Sequence, residues 1–182
     1  SYKNPVVDIA MPDPTVIKAA DGYFYVYATE STRNVPIMKS KDLVEWTYCN
    51  TAFTNKTRPR FEPKAGIWAP DINYINGKYV LYYAMSVWGG EQTCGIGVAT
   101  ANSPQGPFTD HGKMFRSNEI GVQNSIDPSL LQYEGRNYLV WGSFRGIYVI
   151  ELTADGLSIM SGAKKKRIAG TAFEAVYIHK IG

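Results

Sequence analysis

Three stretches of this 182-residue chain are variations on one pattern. They read DPTVIKAADGYFYVYATES from Asp13, DINYINGKYVLYYAMS from Asp71 and DPSLLQYEGRNYLVWGS from Asp127. Each opens on Asp, runs through a short apolar segment and turns at a glycine (Gly22, Gly77 or Gly135). Each then enters a strand of alternating aromatic and aliphatic residues, such as Tyr23 to Tyr27. Runs of β-formers joined by Gly, Asn and Asp mark a β-hairpin. A fourth unit opens at FEAVYIHKIG, where Glu174 stands roughly where the Asp of the earlier units stands. The openings at 13, 71, 127 and 174 fall roughly fifty residues apart, the size of a propeller blade. IMKSKDLVEWTY, GVATANSPQGPFTDHG and YVIELTADGLSI add a strand, a turn and an outer strand to successive units. No window keeps a clean helical period, so the expectation is all-β. A β-sandwich is the rival, but hairpins repeated at this spacing fit two sheets poorly. The predicted fold is therefore a β-propeller, with about three blades and the first strand of a fourth in residues 1–182. Such a set would leave an unpaired edge. More chain, or a second chain, is expected to complete it.

Composition narrows the partners. Hydrophobic residues make up 45% and charged residues 19%, which reads as globular. The formal net charge is only +3. The basic run Lys164 to Arg167 has no interleaved aromatics and reads as a solvated turn, so no nucleic-acid partner is expected. No apolar stretch is long enough to cross a bilayer, so no membrane partner is expected either. The opening residues SYKNP carry no signal peptide, which a mature secreted protein would also lack. Cys49 and Cys94 form no framework or ligand cluster; two buried thiols are expected, with a single bridge as the alternative.

Two of the repeats begin Asp-Pro, at Asp13-Pro14 and Asp127-Pro128. A single Asp before Pro reads as a turn residue. Repetition changes the reading, because innermost strands of blades start at one rim of the axis. Asp13, Asp127 and Glu174 are then predicted to share one mouth. Carboxylates that converge on a pocket push their pKa values apart. That asymmetry suits glycoside cleavage, where one carboxyl donates a proton while another stays ionised.

The segments MPDPTVI, WAPDI, NSIDPSLL and FEAVYI, in this order and on these repeats, resemble family 43 glycoside hydrolases across essentially the whole chain. That family comprises five-bladed propellers and includes arabinanases, β-xylosidases and arabinofuranosidases. The resemblance implies that Asp13 is the general base, Glu174 the general acid and Asp127 the residue that tunes and orients the acid. It implies inversion, with acid and base about 6.5 to 9.5 Å apart. WAPDI, NSIDP and GSFRGI look more like the arabinan-cleaving members, so α-1,5-linked arabinose chains are the expected substrate. A β-xylosidase or arabinofuranosidase of the same family is the alternative, as is a sugar-binding propeller without catalysis. The expected location is secreted or periplasmic.

Sugar rings stack on aromatic faces while their hydroxyls need fixed polar partners. A lone Trp is as readily a core residue. The resemblance implies that Trp68 and Trp88, with Gly89 beside the latter, flank the substrate. It gives Asn124 and Ser143 contacts to sugar hydroxyls and counts Arg145, which stands where many arabinanases carry a bulky aromatic, among the substrate-binding residues. Trp46 and Trp141 read as structural. No cofactor or metal is assignable from these residues, although the family often holds a calcium or other ion and a His near the axis. His111 and His179 lie elsewhere in the repeats, and there is no calcium-type loop.

Overall fold

A computed structural model describes residues 2–179. It contains three four-stranded antiparallel sheets, each built from consecutive strands. The first holds β1 (Thr15–Lys18), β2 (Phe24–Tyr27), β3 (Pro36–Ser40) and β4 (Trp46–Thr51). β5 (Gly66–Ile75), β6 (Lys78–Ser86), β7 (Gly95–Ala101) and β8 (Thr109–Arg116) form the second. A single helical turn, α1 (Ser117–Ile120), leads to the third, made of β9 (Ser129–Tyr133), β10 (Arg136–Trp141), β11 (Ile147–Leu152) and β12 (Lys166–Ala169).

Alternation along the strands explains how the sheets stack. β6 reads KYVLYYAMS and is buried from Tyr79 onward, so both faces of its sheet are covered. Leu81, Tyr83 and Met85 point into a core shared with Tyr25, Tyr27, Ile37 and Phe53 of the first sheet and its following loop. Val80 and Tyr82, one residue out of phase, join Leu130, Leu139, Trp141 and Ile150 of the third. The second sheet is thus the middle layer. Trp141 is fully buried against Phe115 and Tyr148, and its indole N–H donates to Ser125 Oγ at 3.0 Å. Half-buried Trp46 donates to Leu43 O at 3.1 Å.

The first strands of the three sheets meet one another: β1 touches β5, and β5 touches β9. Thr15 Oγ1 accepts the Ile72 N–H at 3.2 Å. Asp71 Oδ2 accepts the Leu130 N–H at 2.8 Å and the Asn73 amide at 2.7 Å. Asp71 is therefore a buried strut between the second and third sheets. Burial pushes its carboxyl up to about 6, against the pull of those donors.

This corrects the repeat drawn from sequence. Asp13, Ala69 and Asp127 each precede a proline and each hold a left-handed φ, of 49°, 41° and 56°. Ala69, inside the β5 register shift between Trp68 and Asp71, is thus the second sheet's counterpart of Asp13. In the fourth unit the left-handed residue is Ala175, at 50°, so Glu174 stands one place before the repeat position. Aspartate is among the few side-chain-bearing residues that take this conformation readily; alanine is not. Of the expected first strand of a fourth unit, residues 173–179 are not a strand, since no segment among the described residues offers them a hydrogen-bonding ladder, and residues 180–182 lie outside the described residues.

Candidate active site

Asp13, Asp127 and Glu174 all line one hollow of about 1130 Å³, although they come from three separate segments. Asp13 stands just before β1 and Asp127 just before β9, each turned by its left-handed backbone toward the common mouth. Burial pushes Asp127 up to about 6, the charges of Asp13 and Glu174 add to the rise, and the Ala175 N–H at 3.2 Å offsets part of it. Asp13 and Glu174 are exposed to the hollow. Glu174 takes a contact from Ser143 Oγ at 3.3 Å, and its segment is docked by the Phe144 N–H on Phe173 O at 2.9 Å.

Trp68 and Trp88 face each other at one wall, with ring centroids 5.5 Å apart and planes inclined by 52°. Trp68 is half-buried beside Cys94 and Ile126, whereas Trp88 is 94% exposed. Gly89, at φ 80°, turns the chain after Trp88 and lines the same hollow. Asn124 also lines it and is fixed through its side-chain amide on Ser143 O at 3.0 Å and its N–H on Glu91 O at 2.7 Å. Ser143 is buried, its hydroxyl turned to Glu174. The tight β10–β11 turn needs Gly142: its φ is 128°, and a Cβ there would meet Gly146 O at 2.2 Å.

Arg145 stands apart from the lining. Its guanidinium grips Glu91 through two bonds of 3.1 and 3.0 Å, and Gln123 donates to the same carboxylate at 2.6 Å. Glu91 does line the hollow, so this pair braces its rim rather than presenting a free cation to a ligand. Arg145, placed among the substrate-binding residues by the resemblance, here pairs with Glu91, a residue that no motif singles out.

Sequence reasoning also missed Thr29. Its Oγ1 donates to Asp13 Oδ2 at 2.6 Å and accepts the Ala69 N–H at 2.7 Å. A signal existed: Thr29 and Ser143 stand equally far past Asp13 and Asp127 in the repeat. Behind Thr29, Glu30 is buried in a bidentate pair with Arg58 at 2.9 and 2.7 Å. Burial opposes Glu30's charge, but Arg58 and the N–H groups of Asn34 and Ile67 outweigh it and hold the carboxyl below its usual range.

Among the described residues, no group of three or more His, Cys, Asp or Glu is placed to hold a metal ion. His111 pairs with Thr100 at 2.8 Å on β8, and His179 stacks on Tyr177. Both cysteines are free thiols, Cys94 buried and Cys49 half-buried. No helix among the described residues is long and apolar enough to cross a membrane.

The model of the family "Glycosyl hydrolases family 43" matches residues 2–182. The chain belongs to this family. Among its relatives is the "Extracellular endo-alpha-(1->5)-L-arabinanase 1" of Bacillus subtilis, 38% identical over 140 residues, which cover 72% of this chain and 43% of that protein. A "Probable arabinan endo-1,5-alpha-L-arabinosidase C" of Aspergillus niger is 32% identical over 93% of this chain and 55% of its own length. Of solved structures, an exo-1,5-alpha-L-arabinanase from a bovine ruminal metagenomic library superposes with a TM-score of 0.81 at 30% identity, covering all of this chain and 65% of that one. The Cellvibrio cellulosa α-L-arabinanase complexed with arabinohexaose gives 0.77 at 28%, over 89% of this chain and 54% of that one. The chain thus spans about half the length of the curated relatives it matches.

Proposed function

We propose that the protein is a glycosidase that hydrolyses α-1,5-linked L-arabinose chains with inversion. One observation carries the reading: three carboxylates from separate segments meet in one hollow walled by two tryptophans. Trp68 and Trp88 offer faces to a sugar ring, and Asn124 and Ser143 line the same hollow to fix its hydroxyls. Asp13 takes a proton from water, whose oxygen attacks the anomeric carbon. The glycosidic bond breaks, and Glu174 gives its proton to the departing oxygen. Asp127, partly protonated near pH 6, is the modulator of that acid. In this reading the three sheets are blades of a five-bladed propeller, in keeping with relatives about twice as long. Further blades, in the same chain or another, would complete it. Secretion is proposed on the strength of the extracellular Bacillus relative.

The test is incubation with linear arabinan, linear xylan and the corresponding aryl glycosides, followed by proton NMR of the first product. Release of β-configured arabinose ends from arabinan alone supports the reading. Cleavage of xylan but not arabinan, or products that retain configuration, would defeat it.

A further inference from the structure

Resting on that reading, one residue outside the three carboxylates acquires a role. Thr29 lies two residues past the end of β2 and is held from several sides. Its N–H donates to Pro12 O at 2.9 Å, which ties it to the residue before Asp13. Next to it, the Glu30 N–H donates to Ile67 O at 3.0 Å while Ile67 N–H donates to Glu30 Oε1 at 3.0 Å, so this segment is clamped to the start of β5. Arg58 locks Glu30 in turn.

The direction of the hydroxyl follows from its partners. Ala69, in its left-handed conformation, aims its N–H at Thr29 Oγ1, which must accept. The hydroxyl proton is then free for one acceptor, Asp13 Oδ2 at 2.6 Å. We propose that Thr29 is a positioning residue for the general base: its committed hydroxyl pins Oδ2 of Asp13 and leaves Oδ1 to take the proton of the attacking water. The strained backbone at Ala69 gains a purpose on this account, since relaxing it would withdraw the N–H that sets the hydroxyl. The second sheet carries no carboxylate at its rim position, and contributes through its backbone instead.

The experiment compares Thr29→Val and Thr29→Ser with the wild type in the intact protein. Kinetics on linear arabinan and α-1,5-arabinotriose are read together with thermal unfolding and crystal structures of the wild type and the Val variant. The Val variant is expected to lose about tenfold to a hundredfold in kcat, the worth of a hydrogen bond to a charged group. KM should stay within about twofold, and Ser should recover most of the loss. In the crystal, Asp13 should leave its wild-type placement. Several results overturn the proposal: unchanged kcat, a KM effect without a kcat effect, a Ser variant as poor as Val, or a Val variant that does not fold. If the wild type cleaves no arabinan, the functional reading fails by itself. The placement of Asp13 in the two crystal structures still decides on Thr29, and an unmoved carboxylate defeats it.

Discussion

The two sides of the hollow are built differently. On the side of Asp13, the proposed base, the carboxylate stands just before a strand, its hydroxyl partner Thr29 follows the adjoining strand of the same sheet, and Arg58–Glu30 braces that partner from behind. On the side of Glu174, the proposed acid, the segment has no strand and is held by the Phe144 N–H on Phe173 O, by the Ala175 N–H on Asp127 Oδ2 and by a longer contact from Ser143. Thr29 and Ser143 occupy the same repeat position, yet Thr29 serves the carboxylate of its own sheet and Ser143 serves the next unit's. The lesson is that a repeat can deliver identical backbone positions to different partners. Asp13, the proposed base, is fixed by its own sheet, and Glu174, the proposed acid, by contact between units.

Five substitutions test that contrast, in falling order of effect. Asp13→Asn and Glu174→Gln are each expected to lower turnover of arabinan about a thousandfold. They part on an aryl arabinofuranoside whose leaving group needs no proton: Glu174→Gln should keep most of its activity there, whereas Asp13→Asn should not. Equal losses on both substrates would erase the distinction between base and acid sides.

Arg58→Met leaves Glu30 buried without its cation and is expected to cost about 3–5 kcal/mol in urea unfolding. A cost near zero would mean that the base side is not braced from behind.

Asp71 gives a pH test. Burial raises its folded-state value above the unfolded one, so its stabilising contribution is complete at acid pH and is lost as pH rises through about 6. Asp71→Asn, whose side-chain oxygen can still accept from Leu130 and Asn73, should flatten the fall in unfolding free energy between about pH 4 and about pH 6 by about 3 kcal/mol. Glu30 works with the opposite sign: held below its usual range, it stabilises above that range and weakens as pH falls. An unaltered pH profile in Asp71→Asn would place the titration elsewhere. Last, Ser143→Ala should lower kcat only about fivefold, because its contact with Glu174 is long at 3.3 Å. A loss greater than that of Thr29→Val would reverse the ranking of the two sides.

Much of this was legible in the residues. The alternation in Tyr79 to Met85 gives a strand, and the absence of polar positions in it gives a sheet covered on both faces. Asp13-Pro14 and Asp127-Pro128 announced two walls of the hollow because their side chains recur along with their backbone. Ala69 was hidden because only the following proline and the φ angle recur there, without the acid, while nearby Asp71 is an aspartate that serves as a strut between sheets. Arg145 could be placed near the rim but not paired, since its partner Glu91 comes from the loop between β6 and β7 and no pattern links the two. Thr29 and Ser143 needed the three-dimensional repeat before their shared position meant anything.

The left-handed entry shared by Asp13, Ala69, Asp127 and Ala175 has one more implication. The chain follows the same path into the axis whether or not the residue there carries an acid, so the scaffold does not depend on the chemistry mounted on it. Each entry is a socket of fixed orientation, and acidic groups can be gained, lost or moved by one place without rebuilding the wheel around them.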